Sequence, residues 1–280
     1  MLRSFTNSAV FLFLAKYQML HDKEFEITQE IDGKEESDNI STISRLRLIA
    51  SDYFLSFMWV LSGSIAKYFV NMILGSGMKS VSLLIKGLIA LLSLYYFAQL
   101  GKATGGSYNP LLILCYAISD NFLEFLYVVL GRIPAQVIGS IMAVWFINVA
   151  FPAAAAAAGP HLNIDVNSGA LVEGLLTCFI VILSLRLNKF PSSSKKTWIK
   201  CVAKVILHFL GSHTTGGIMN PASAFGWAYA KEEHVRKEHL CVYCLAPIEA
   251  TLLIAWIGSL FPDFTKHRRL HDTQYKDKIE

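Results

Sequence analysis

Apolar stretches roughly 20 residues long alternate with short polar connections along most of this chain. A helix rises about 1.5 Å per residue, so about 20 apolar residues cross a hydrocarbon core about 30 Å thick. Stretches of this kind lie near Leu48–Leu74, Lys79–Leu100, Asn121–Ala150, Ser168–Leu187, Lys196–Gly211 and His239–Phe261. Two further apolar runs, "NPLLILCYAI" from Asn109 and "NPASAFGWAYA" from Asn220, are too short to cross and reach about half way. The pattern predicts an all-α membrane protein with six transmembrane helices and two Asn-Pro half-helices.

The flanking segments differ. "AVFLFLA" (Ala9–Ala15) is too short to span, and a polar, acidic stretch follows it, so residues 1–44 read as a disordered N-terminal extension. Arg3 ahead of an apolar run hints at a signal peptide, but no A-x-A-like cleavage site follows. The alanine run Ala153–Ala158 sits between Phe151-Pro152 and Gly159-Pro160, which makes it a connection with room for one helical turn.

The half-helices begin within a repeated phrase. "TGGSYNP" starts at Thr104 and "TGGIMNP" at Thr215, and both keep the Thr, the two Gly, the Asn and the Pro. Asn is a favoured N-cap and Pro a favoured first helical residue, while paired glycines allow a sharp entry. The repeat extends outward. Asp52 opens "DYFLSF" and Glu173 opens "EGLLTCF", each with a hydroxyl (Ser56, Thr177) four positions on and therefore on the same helical face. Pro134 and Pro247 recur in the last span of each half. Each half reads span, span, half-helix, span. Three spans per half force opposite orientations, which is an inverted repeat with broken helices meeting near the midplane. The expected division is residues 1–44 (extension), 45–150 (first repeat), 151–167 (connection), 168–262 (second repeat) and 263–280 (basic tail).

Irregular backbone at membrane depth must be buried or line a water-filled cavity. Asp52 and Glu173 are therefore expected to accept the loops' free N–H groups. Two facing helix N-termini concentrate positive potential, and the amides of Asn109 and Asn220 could donate to a passing water.

Composition agrees: 54% of residues are hydrophobic and 16% charged, against about 25% charged in a soluble domain. A net charge of +4 held in short flanking segments argues for topology and against nucleic-acid binding. Arg45, Arg47, Arg186, Lys189, Lys195, Lys196, Lys266, Arg268 and Arg269 fall on one side, which becomes cytosolic together with both termini. That placement leaves the Asn39-Ile40-Ser41 sequon unmodified. Cys241 and Cys244 lack a second pair or a His cluster and read as small helix residues; no metal or other cofactor is expected.

Two Asn-Pro half-helices within six spans resemble the aquaporin (major intrinsic protein) family over about Arg45 to Phe261. "SDYFLSFMW", "RIPAQVIGSI", "GSHTTGGIMNPASAFGWAYA" and "KEHLCVYCLAPIEATLLIAW" resemble the plant small basic intrinsic proteins, and the Asn-Pro-Leu motif resembles their second subgroup. The resemblance implies a homotetramer with one pore per subunit in the endoplasmic reticulum membrane. It implies pore motifs at Asn109, Pro110, Leu111 and at Asn220, Pro221, Ala222. It also implies an outer filter of His208, Gly217, Ser223 and either Ile89 or Ala90. Two departures stand out. Leu111 replaces the usual Ala, adding bulk beside the midplane, and Ser223 stands where the family carries Arg.

The sequence-level expectation is a passive channel for water and other small neutral solutes, with size exclusion relaxed by the missing Arg and set partly by His208 and Leu111. The alternatives are a poorly conducting protein acting through assembly with other channels and a proton- or ion-coupled transporter. No Walker-type loop, zinc signature or catalytic triad suggests an enzyme. Lys67 and Lys86 are expected to snorkel toward an interface, and Lys204 and Glu249 to pair or pack between helices.

Overall fold

A computed structural model describes residues 41–73, 79–118, 121–156, 159–190 and 193–259. Asn39, the basic tail from 263 and all but residues 41–44 of the expected extension lie outside them. Contacts divide the chain into Met1–Arg47 and Leu48–Glu280. Residues 41–47 of the first unit are helical.

The elements are α1 (Ser41–Ile73), α2 (Lys79–Thr104), α3 (Pro110–Ile118), α4 (Phe122–Ala150), α5 (Pro152–Ala156), α6 (Val166–Asn188), α7 (Ser194–Gly211), α8 (Pro221–Ala230) and α9 (His239–Gly258). No strand occurs among the described residues. Helices α1, α2, α4, α6 and α9 are long and apolar enough to cross a membrane. Helix α7, the remaining expected span, has 18 residues, about 27 Å, yet carries Lys195, Lys196, Lys200 and Lys204. It packs between α2 and α6 rather than standing free.

Helix boundaries follow local chemistry. Helix α2 runs on past Leu100 to Thr104, so it ends directly at the repeated phrase. Helix α6 starts at Val166, earlier than the apolar pattern suggests, because Asp165 accepts the N–H groups of Asn167 and Ser168. Those bonds, with Ser168 first, hold the Asp165 carboxyl below its usual range. Helix α5 is the turn foreseen in the alanine run.

Pro134 and Pro247 mark a feature that periodicity does not show. In α4 the Ile133 N–H bonds to the Val128 carbonyl, and in α9 the Ala246 N–H bonds to the Cys241 carbonyl, both five residues back. Each helix therefore widens into a π-type turn just before its proline. Proline lacks a donor and crowds the carbonyl four residues back, and the wider turn relieves that crowding.

The two halves interlock. Half-helix α8 lies against α4, and half-helix α3 against α9, so each repeat supplies the wall for the other's half-helix. Small residues permit the close approach, as at membrane helix crossings generally. A Cβ on Gly226 of α8 would sit 2.8 Å from Ser140 of α4, and one on Gly139 would sit 2.3 Å from the Tyr53 carbonyl of α1. Burial is inverted relative to a water-soluble domain. Phe54, Met72, Leu84, Leu130, Phe179 and Trp256 are exposed, whereas Asp52, Gln136, Ser140, Glu173 and Thr215 are fully buried.

Candidate functional site

Both repeated phrases fold into the same turn. Thr104 Oγ1 accepts the Gly106 N–H at 3.1 Å, and Thr215 Oγ1 accepts the Gly217 N–H at 3.2 Å. Asn109 Oδ1 caps α3 through the Leu111 N–H at 3.1 Å, and Asn220 Oδ1 caps α8 through the Ser223 N–H at 3.3 Å. Pro110 and Pro221 occupy the first helical positions.

The Asn side chains then cross. Asn109 Nδ2 donates to the Met219 carbonyl at 2.7 Å, and Asn220 Nδ2 donates to the Tyr108 carbonyl at 2.9 Å. Each carbonyl belongs to the residue just before the opposite Asn, so the pair is reciprocal. Each amide commits one N–H to the opposite loop and keeps a second, which is the one left to donate to a passing water.

The carboxylates hold the loops by different means. Asp52 Oδ1 accepts the Ser107 N–H at 2.5 Å. Arg132, at the end of the π turn of α4, reaches Asp52 Oδ2 through Nε at 2.6 Å and Oδ1 through Nη2 at 3.0 Å. The same Nη2 donates to the Gly105 carbonyl at 2.9 Å. Glu173 has no such ion pair among the described residues. Its Oε1 accepts the Thr215 hydroxyl at 2.7 Å and the Ile218 N–H at 2.9 Å, and its Oε2 accepts the Met219 N–H at 2.9 Å. Tyr243, in the π turn of α9, donates its hydroxyl to the Thr215 carbonyl at 2.8 Å. Of the paired hydroxyls, Ser56 bonds to Ser140 at 2.8 Å. Thr177 Oγ1 is buried without a hydrogen-bond partner among the described residues.

A cavity of about 370 Å³ opens beside the second loop. Ile89, Ala90, His208, Gly217, Ser223 and Asn220 all line it, so both candidates for the fourth filter position reach the wall. His208 Nδ1 lies 3.2 Å from the Gly217 carbonyl; with Nδ1–H donating there, Nε2 is left as an acceptor. Gly217 has φ +55, and a Cβ on it would meet the His208 carbonyl at 2.9 Å. Ser223 Oγ is buried with no protein partner among the described residues. Leu111 is 2% exposed and is not one of the cavity's lining residues; Ala222 and Pro221 are likewise buried.

Sequence reasoning missed Arg132 and Tyr243, which carry no motif of their own. It also did not foresee that three lysines border one cavity. Lys67, Lys86 and Lys204 all line the cavity, and Glu249, expected to pair or pack between helices, is exposed on α9. Lys204 Nζ stands 5.1 Å from the Tyr108 ring and 5.6 Å from the Trp59 ring, and those two rings stack at 4.4 Å. A signal was available: Lys196, Lys200, Lys204 and His208 recur every fourth residue, one per turn of α7. Cys241 and Cys244 are free thiols.

Comparison with known proteins accounts for this arrangement. The model of the family described as "Major intrinsic protein" matches residues 39–258. A probable aquaporin SIP2-1 of Arabidopsis thaliana is 47% identical over 218 residues, covering 76% of this chain and 91% of that protein. An aquaporin SIP2-1 of Oryza sativa is 40% identical over 238 residues, covering 83% and 93%. Among solved structures, the aquaglyceroporin from Plasmodium falciparum matches with a TM-score of 0.56 at 17% identity, over 82% of this chain and 99% of that one, which shows the fold. An integral membrane bundle with two crossed Asn-Pro half-helices, matched by this family over most of its length, is a channel for water or small solutes rather than an enzyme: the chain belongs to the major intrinsic protein family.

Proposed function

We propose that the chain conducts water and other small neutral solutes passively, through an outer filter of His208, Gly217, Ser223 and Ile89 or Ala90 that lacks the family's Arg. The observation that carries this reading is the crossed pair of Asn side chains with Asn220 on the cavity wall. A molecule passing there meets the remaining Asn220 N–H, the unpaired Ser223 hydroxyl and the His208 ring. These groups replace some of its hydration while admitting no fixed guanidinium into the space. Gly217 and Ser223 leave that space wide, so the filter passes solutes larger than water.

A coupled transporter needs a titratable carboxylate open to the path. Asp52 and Glu173 are fully buried and occupied in holding the loops, which supports the channel reading instead. Function through assembly with other channels would rest on Leu111 as an obstruction, and its burial away from the cavity supports a packing role. The reading keeps two repeats, 45–150 and 168–262. It also keeps a homotetramer in the endoplasmic reticulum membrane with cytosolic termini, as the resemblance to the plant small basic intrinsic proteins implies.

The test is stopped-flow light scattering on proteoliposomes, comparing water and glycerol. Ser223→Arg should lower glycerol flux at least tenfold while reducing water flux much less, and Asn220→Asp should abolish both. Equal glycerol flux in wild type and Ser223→Arg would remove the proposed filter.

A further inference from the structure

The charged side chains that line the cavity are all basic. Its described lining contains Lys67, Lys86, Lys204, His161 and His208, and no Asp or Glu. Lys67 lies within electrostatic reach of both Lys86 and His208, and Lys204 of His208. Like charges four residues apart on a helix disfavour it, and charges inside a membrane are costly and tend to be functional. Helix α7 nevertheless places Lys196, Lys200, Lys204 and His208 at that spacing.

Lys204 is held, not stray. Its ammonium lies near the stacked faces of Trp59 and Tyr108, an arrangement that stabilises a cation at low dielectric. An aromatic face satisfies charge without supplying a counter-charge, so the ammonium keeps hydrogen-bond donors for another acceptor. Tyr108 ties it to the Asn pair, because the Tyr108 carbonyl accepts from Asn220. Ser223, which also lines the cavity, is 7% exposed with its hydroxyl unpartnered among the described residues. An ammonium, a spare amide N–H and a free hydroxyl therefore border one space whose described lining holds no carboxylate.

We propose that this vestibule binds a small inorganic anion and that Lys204 is its principal ligand, making it the charge filter of the passage. A fixed ammonium there turns away cations and concentrates anions, since charge in a low-dielectric recess is weakly screened. The inference deepens the channel reading, but its readout does not depend on water flux, so either can fail alone.

Trp59 lines the cavity beside Lys204 and reports the site. Iodide and caesium quenching of tryptophan fluorescence is measured on the full-length protein in liposomes, with Trp59→Phe defining the Trp59 component. For the wild type, iodide should quench that component at least fivefold more steeply than caesium, in a saturable way that chloride competes away. Lys204→Met should abolish the preference, and Lys204→Arg should retain it. Linear wild-type quenching that chloride does not relieve would overturn the proposal, even if Lys204→Met fails to fold. So would a folded Lys204→Met that keeps the iodide preference.

Discussion

The two Asn-Pro loops reach matching turns and crossed Asn bonds by unlike chemistry. In the first half a bidentate ion pair, Asp52 with Arg132, holds the loop through the Ser107 N–H and the Gly105 carbonyl. In the second, Glu173 is satisfied by three uncharged donors, and Tyr243 holds the Thr215 carbonyl. The second loop is also the more contorted. Gly216, Gly217 and Met219 all take positive φ, Met219 at 46°, whereas in the first only Gly105 does. A non-glycine residue there costs about 1–3 kcal/mol and persists only when its surroundings over-determine it. Glu173 does so by gripping the Met219 N–H. The difference teaches that the repeat preserves backbone geometry and the need for an acceptor, while the means of satisfying that acceptor has diverged.

Substitutions that separate the two halves should differ in size. Arg132→Met leaves the Asp52 charge buried and unpaired and should cost about 3–5 kcal/mol, read as loss of the folded peak or of Tm in detergent. Asp52→Asn with Arg132→Met should recover a large part, because no lone charge remains. A double variant no better than Arg132→Met would refute the ion-pair account. Glu173→Gln removes no ion pair but turns an amide donor toward donors, leaving an N–H or hydroxyl unsatisfied; about 2–3 kcal/mol is expected. Wild-type stability in that variant would mean the second loop does not need its carboxylate.

Leu111→Ala addresses another asymmetry, since Ala222 holds the matching position. With Leu111 at 2% exposure, truncation should cost about 2 kcal/mol or more through a cavity and leave water flux within about twofold. A large rise in flux at unchanged Tm would instead make Leu111 a pore obstruction. Tyr243→Phe is the mildest, about 1 kcal/mol for one hydrogen bond to a carbonyl. A loss as large as that of Arg132→Met would contradict the division of labour described here.

Much of this was legible in the sequence. The apolar lengths separate spans from half-helices, and the repeated Thr-Gly-Gly and Asn-Pro place two turns facing each other. Asp52 and Glu173 stood out as carboxylates at equivalent positions on apolar helices. Their partners did not. Arg132 lies 80 residues from Asp52, and no local pattern states which helix face will meet which loop. Pro134 and Pro247 marked where α4 and α9 depart from regularity, but not that the departure is a π turn aiming Arg132 and Tyr243 at the loops. Helix α7 was the hardest to read. Lys195 and Lys196 look like flanking charge, and nothing local in the sequence says that Lys204, two turns further along, reaches the cavity wall with His208.

The most direct test of the central claim, that these crossed half-helices form a passage for water, is the temperature dependence of wild-type proteoliposome shrinkage under an impermeant osmolyte. The account predicts shrinkage many-fold faster than that of empty vesicles, with an activation energy close to that of bulk water diffusion. Shrinkage at the empty-vesicle rate by folded protein, or with the steep temperature dependence of lipid permeation, would contradict it.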